Sequence, residues 1–104
     1  MSTGHEQDLR QQHSEEVVLR AIGDVNQLRP LTEAIPVGLS TVFRGEGAAL
    51  DSLGLVNLLV ATEDEYQQEF GREISLAPEL ALPAEQSSFK SAQTLADHLA
   101  VHTA

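Results

Sequence analysis

Cysteine and tryptophan are absent from this 104-residue chain, which holds one tyrosine, three phenylalanines and six basic residues. Without cysteine there are no disulfides and no thiolate-metal centres, and any thiol that takes part in function must be borrowed. With aromatics at 4%, a core must be built mainly from Leu, Val, Ile and Ala, a palette that suits helices packed on helices. The six basic residues face sixteen acidic ones, for a net charge of −10. Nucleic-acid binding draws most of its strength from neutralising phosphates, so that class is excluded, and an anionic lipid surface would repel the chain. A basic protein partner would instead be steered toward it. Long apolar runs are also missing. The richest, Leu53 to Ala61, is interrupted by Gly54 and Asn57 and is too short to span a bilayer. The opening "MSTGHEQDLRQQ" is polar and has no apolar h-region of a secretory signal, so a cytoplasmic protein is the expectation.

What is present reads as one all-α domain. Residues 1–12 are polar and read as a disordered extension preceding a domain over 13–104. Ser14, followed by Glu15 and Glu16, has the form of an N-cap with acids in the first turn. Val18, Ala21, Ile22, Val25 and Leu28 then follow helical spacing up to Pro30, which predicts a first helix over 14–29. Residues 31–50 carry Pro36, Gly38, Gly45 and Gly47 and no sustained period. Their apolar residues Leu31, Ile35, Val37, Leu39, Val42 and Phe43 are too many for a free tether, which predicts a long ordered loop laid over the core. A second helix is expected from about Ser52 to Phe70, with Gly71 at C′. Pro78 and Pro83 leave room only for a short third helix or turn, and Ser91 caps a last helix over about 92–102. In that last helix Ala92, Leu95, Ala96 and Leu99 face inward. The expected fold is a small four-helix bundle, three main helices and one short one, with the long loop between the first and second.

At 100° per residue the second helix carries two apolar stripes. Leu55, Leu58, Leu59, Thr62, Tyr66 and Phe70 make a broad stripe suited to the core. Leu53, Val56 and Val60 make a narrower one, shared with Asn57 and Asp64. Burial in the bundle and docking of a partner are both compatible with this second stripe.

The stretch "LDSLG" at 50–54 opens that helix and admits three readings. A nucleophile elbow needs G-x-S-x-G after a strand, and Leu50 stands where the first glycine belongs, so a serine hydrolase is disfavoured. A helix cap is the second reading, with Asp51 or Ser52 as the capping residue. The third is an attachment point, because the positive end of a helix favours an anion such as a phosphate ester. Elsewhere, His98 and His102 stand at i, i+4 but lack an evident third ligand, which favours a solvated helix end over a metal site. The run Glu63-Asp64-Glu65 points in different directions around its helix and does not converge on a cation.

The segment "ALDSLGLVNLLVATEDEY" resembles the attachment motif of acyl carrier proteins, in which an Asp-Ser-Leu triplet opens the second helix. The likeness covers most of 14–102 in the order of the expected helices. It implies that a phosphopantetheinyl transferase moves 4′-phosphopantetheine from coenzyme A onto Ser52, with Asp51 and Leu53 flanking the attachment. The arm's thiol would carry an acyl group as a thioester, supplying the sulfur that the chain lacks. The protein would then be no enzyme. It would be a monomer that presents cargo to an acyl-activating ligase or acyltransferase and to downstream enzymes such as a ketosynthase, at raised effective concentration. By the same resemblance Asp51, Leu53, Val56, Asn57 and Val60 meet partners, in keeping with the second stripe that also holds Asp64. Carriers of fatty acid synthesis usually have acids at the positions of Gly54 and Asn57, and their second helix is about one turn shorter. These departures point to a stand-alone carrier of a specialised polyketide, small-acyl or fatty-acid-like route. Two alternatives stand beside it: an aminoacyl or peptidyl carrier of nonribosomal type, and an acidic helical adaptor with no prosthetic group.

Overall fold

A computed structural model describes the backbone of residues 3–103 and the side chains of 8–103. Four α-helices follow one another: α1 (Thr3–Asn26), α2 (Ser52–Phe70), α3 (Ala77–Leu80) and α4 (Ala92–Thr103). Short 3₁₀ turns at Leu31–Glu33, Ala84–Gln86 and Ser88–Lys90 fill the connections. No strand forms among the described residues, and the one β-bridge joins Val42 to Ser91. The protein is a small all-α bundle with three main helices, one short helix and a long ordered loop between α1 and α2.

The core is aliphatic, as the shortage of aromatics requires. Val17, Val18, Ala21, Ile22 and Val25 of α1 meet Leu58 and Tyr66 of α2 and Leu95, Ala96 and Leu99 of α4, all buried. Two of the three phenylalanines, Phe43 from the loop and Phe89 ahead of α4, fill the remaining space. The Tyr66 hydroxyl keeps a polar partner at the edge of this core, 3.1 Å from Thr103 Oγ1.

The helix ends follow from local chemistry. Gly71 closes α2 in the left-handed region at φ 71°, and its N–H donates to the carbonyl of Gln67 at 2.8 Å. Ser91 and Thr94 cap α4 reciprocally: Thr94 N–H donates to Ser91 Oγ at 3.2 Å, and Ser91 N–H to Thr94 Oγ1 at 2.9 Å. The long loop is tied at both ends. Asn26 grips the backbone of Ile35, accepting its N–H at 2.7 Å and donating to its carbonyl at 2.9 Å. Farther along, Phe43 N–H donates to the Lys90 carbonyl and Ala92 N–H to the Thr41 carbonyl, each at 2.9 Å.

Two expectations about the first helix are corrected. Residues 1–12 are not a disordered extension from Thr3 onward, because α1 begins there; Met1 and Ser2 lie outside the described residues. Polar contacts replace the missing apolar period: Gln11 donates to Asp97 of α4 at 2.8 Å and to Glu15 at 3.0 Å. Ser14 is therefore no cap but a fully buried residue in the middle of α1. The helix also ends at Asn26, three residues before the expected boundary, and Leu28 falls past its end and lies exposed. Within the loop Ile35 and Phe43 are buried, whereas Leu31 and Val37 stand in solvent.

Candidate functional site

The first turn of α2 settles which residue caps it. Asp51 has an extended backbone (φ −88°, ψ −175°) and its Oδ1 accepts the Gly54 N–H at 2.8 Å. Its own carbonyl accepts the Leu55 N–H at 3.0 Å. Asp51 is thus the N-cap and Ser52 the first helical residue, exposed to solvent. The cap is supplied without the serine hydroxyl. That hydroxyl stands beside the positive end of a 19-residue helix.

Among the described residues no histidine is hydrogen-bonded to it. Of the histidines whose side chains are described, His13 contacts Glu69 at the far end of α2. His98 and His102 meet edge to face along α4, with ring centroids 4.8 Å apart. Among the described residues that pair gathers no third metal ligand. Without an adjacent base a serine hydroxyl is not activated as a nucleophile.

Gly54 is where sequence reasoning missed most. A Cβ built on it would lie 2.8 Å from Leu50 Cδ2, 3.2 Å from Asp51 Oδ1 and 3.3 Å from Arg29 Nη1. The missing side chain is therefore space used by three neighbours, and one of them is a cation. Arg29 reaches this point because its Nε donates to the Glu33 carbonyl at 2.9 Å, which folds the guanidinium back over the start of α2. Nothing in the sequence separates Arg29 from an ordinary solvated arginine; only the path of the loop brings it to the helix start.

The two stripes of α2 separate cleanly. Gly54, Leu58, Thr62 and Tyr66 are buried, and Leu55, Leu59 and Phe70 pack against the core from its margin. Leu53, Val56 and Val60 are 69%, 49% and 49% exposed. Burial in the bundle is thereby ruled out for the second stripe. Asn57 is half-buried and Asp64 exposed along the same side. Here the end of α1 and the turn after it add residues that no motif announces: Asp24 of α1 with Gln27 and Leu28 just beyond it join Asn57, Val60 and Asp64 around an open cleft of about 380 Å³.

Charge on this side is arranged in pairs. Arg20 of α1 donates from Nε to Glu65 at 3.0 Å and from Nη2 to Glu69 at 2.7 Å, bracing α1 against α2. Asp24 shares a hydrogen bond with Glu65, which, together with desolvation, holds its carboxyl protonated up to about pH 6. Glu65 and Glu69 are shifted the other way, Glu65 by its bond to Asp24 and Glu69 by its bond to Arg20. The acidic run of α2 diverges as its spacing requires. Glu63 accepts the Leu76 N–H at 2.8 Å, Asp64 faces solvent and Glu65 meets Arg20.

No family model, no curated protein and no solved structure matches this chain. No helix among the described residues is long and apolar enough to cross a membrane.

Proposed function

We propose that this chain is a discrete acyl carrier protein, modified on Ser52 with 4′-phosphopantetheine and serving a specialised polyketide, small-acyl or fatty-acid-like pathway. The observation that carries the reading is the division of labour at the start of α2. Asp51 caps the helix, which leaves Ser52 exposed and chemically uncommitted at its positive end. The surroundings fit the group. A phosphodiester on Ser52 would sit at a helix N-terminus with the Arg29 guanidinium lodged against the neighbouring Gly54. When bound, the group supplies the thiol that a cysteine-free chain lacks.

In the loading step the Ser52 hydroxyl attacks the β-phosphate of coenzyme A in the active site of a phosphopantetheinyl transferase. A P–O bond to Ser52 forms and the bond to 3′,5′-adenosine bisphosphate breaks; the hydroxyl proton leaves to a base of the transferase. The carrier's own residues start the helix that bears the hydroxyl and present the surface around it. Leu53, Val56 and Val60, with Asp64 at the margin, form the docking side for the transferase, for the ligase or acyltransferase that charges the thiol, and for downstream enzymes. The raised effective concentration of tethered cargo is the functional gain, and the chain itself catalyses nothing.

The test is direct. Incubation with coenzyme A and a broad-specificity phosphopantetheinyl transferase should raise the intact mass by one phosphopantetheinyl group in the wild type and leave Ser52→Ala unchanged. An unmodified wild type, or an equal gain in the variant, refutes the reading. Competition among fatty, hydroxy and amino acids for ligase-dependent loading then separates an acyl carrier from an aminoacyl one.

A further inference from the structure

The stretch of α1 around His13 has no part in the Ser52 site, yet it carries the one convergence of three metal-ligand side chains found among the described residues. His13 and Glu16 stand three residues apart on one face of α1, and Glu69 comes from the last turn of α2. His13 Nδ1 lies 2.8 Å from Glu69 Oε2 and 3.9 Å from Glu16 Oε1, and the three donor atoms all lie within 4.8 Å of one another. Zinc–nitrogen and zinc–oxygen bonds of about 2.0–2.2 Å place the donors of a tetrahedral ion roughly 3.3–3.5 Å apart. The two separations from the imidazole straddle that spacing, so the His13–Glu69 pair has to open, and Glu16 to close, by roughly half an ångström each to receive the ion.

Two further contacts orient these ligands in advance. Arg20 Nη2 holds Glu69 by its other oxygen, Oε1, at 2.7 Å, which turns Oε2 toward His13. Phe70 sets its ring edge-on to the imidazole, centroids 6.5 Å apart at 70°. Such outer contacts fix ligand direction in metal sites. We propose that His13, Glu16 and Glu69 bind a zinc ion that clamps α1 to α2, with water at the fourth position on the open side. One imidazole and two carboxylates suit zinc among the common divalent cations, whereas calcium and magnesium call for six or more oxygens. The two carboxylates balance the charge of the ion. Seventeen residue steps along α2, roughly 26 Å, separate Glu69 from Ser52. The site is therefore independent of the attachment reading.

The test is calorimetric titration of ZnCl₂ into the tag-free full chain, with thermal unfolding in parallel. The expected result is one equivalent of zinc bound, with affinity at least about tenfold weaker in His13→Gln and in Glu16→Gln. Glu16 has no ion-pair partner but His13 among the described residues, so Glu16→Gln leaves the fold intact. The double variant His98→Gln/His102→Gln should bind as the wild type does, which separates this site from the histidine pair of α4. At free zinc ten times the dissociation constant, Tm should rise by roughly 5–10 °C in the wild type. Failure to bind zinc overturns the proposal, as does wild-type affinity in Glu16→Gln and His13→Gln, or loss of binding in the α4 double variant.

Discussion

Gly54 offers the sharpest test of how the start of α2 is built, because replacing a helical glycine with alanine ordinarily stabilises. Alanine gains up to about 1 kcal/mol over glycine in a helix interior. At Gly54 that gain meets an obstacle: the added methyl would lie 2.8 Å from Leu50 Cδ2, where carbon atoms prefer about 3.5–4.0 Å. Leu50 is buried, so its side chain turns only at the expense of its own packing. Overpacking of this kind costs about 1–3 kcal/mol. The methyl also crowds the Asp51 carboxylate at 3.2 Å, and that carboxylate carries a cap worth about 1 kcal/mol. The balance is a destabilisation of about 1–2 kcal/mol, or a fall in Tm of roughly 4–16 °C. Gly23 supplies the control, since it lies inside α1 and nothing stands within 4 Å of a Cβ built there. Gly23→Ala should gain up to about 1 kcal/mol. Urea denaturation followed by far-ultraviolet circular dichroism measures both. If Gly54→Ala stabilises as much as Gly23→Ala, the packing of Leu50, Asp51 and Arg29 against Gly54 is wrong.

Two other perturbations probe the frame around the site. Asn26→Ala removes both bonds to the Ile35 backbone, leaving a buried N–H and carbonyl without their partner; the expected loss is about 1–3 kcal/mol in urea denaturation, with faster hydrogen exchange at the Ile35 amide. Asp24→Asn tests the acidic pair. Because the folded-state pKa of Asp24 is raised to about 6 from 3.8, its contribution is fully favourable below pH 3.8 and is lost as pH rises through 6. The amide introduced by Asp24→Asn keeps a donor toward Glu65 without the charge, so the variant should be more stable than wild type at pH 7 by about 1 kcal/mol after solvent screening. The difference should close by about pH 4, and a pH-independent difference in Tm between the two proteins would contradict the pairing.

The parts of the fold that were legible in the sequence are those that local chemistry specifies. Gly71 ends α2 because only a residue free of a Cβ adopts its φ cheaply, and Ser91 starts α4 because its hydroxyl satisfies a free N–H. Both signals act within three or four residues of chain. The first ten residues of α1 were misread for the opposite reason. Their helix is supported by Gln11 on Asp97 and His13 on Glu69, partners 86 and 56 residues away, and an apolar period does not register such contacts. The same blindness hid the inward face of Ser14, whose sequence neighbours Glu15 and Glu16 imitate the first turn of a helix.

At the candidate site the divide falls between the motif and its setting. The Asp-Ser-Leu triplet marks a helix start whichever function is right, and the exposed Leu53, Val56 and Val60 follow from a 100° turn per residue. Gly54 and Arg29 belong to the setting. Read as a residue type, the glycine is only a missing acid. In the fold it is the space over which a loop arginine reaches the first turn of α2. An aspartate at position 54 would meet the same Leu50 contact at 2.8 Å, even though its charge would suit the Arg29 guanidinium. The neutral residue and the nearby cation are thus one structural arrangement, which makes the surface beside Ser52 less acidic than the net charge of −10 implies. On the proposed reading, a partner would draw its orientation from the apolar stripe and from the acids farther along, at Asp24 and Asp64, more than from the residues next to Ser52.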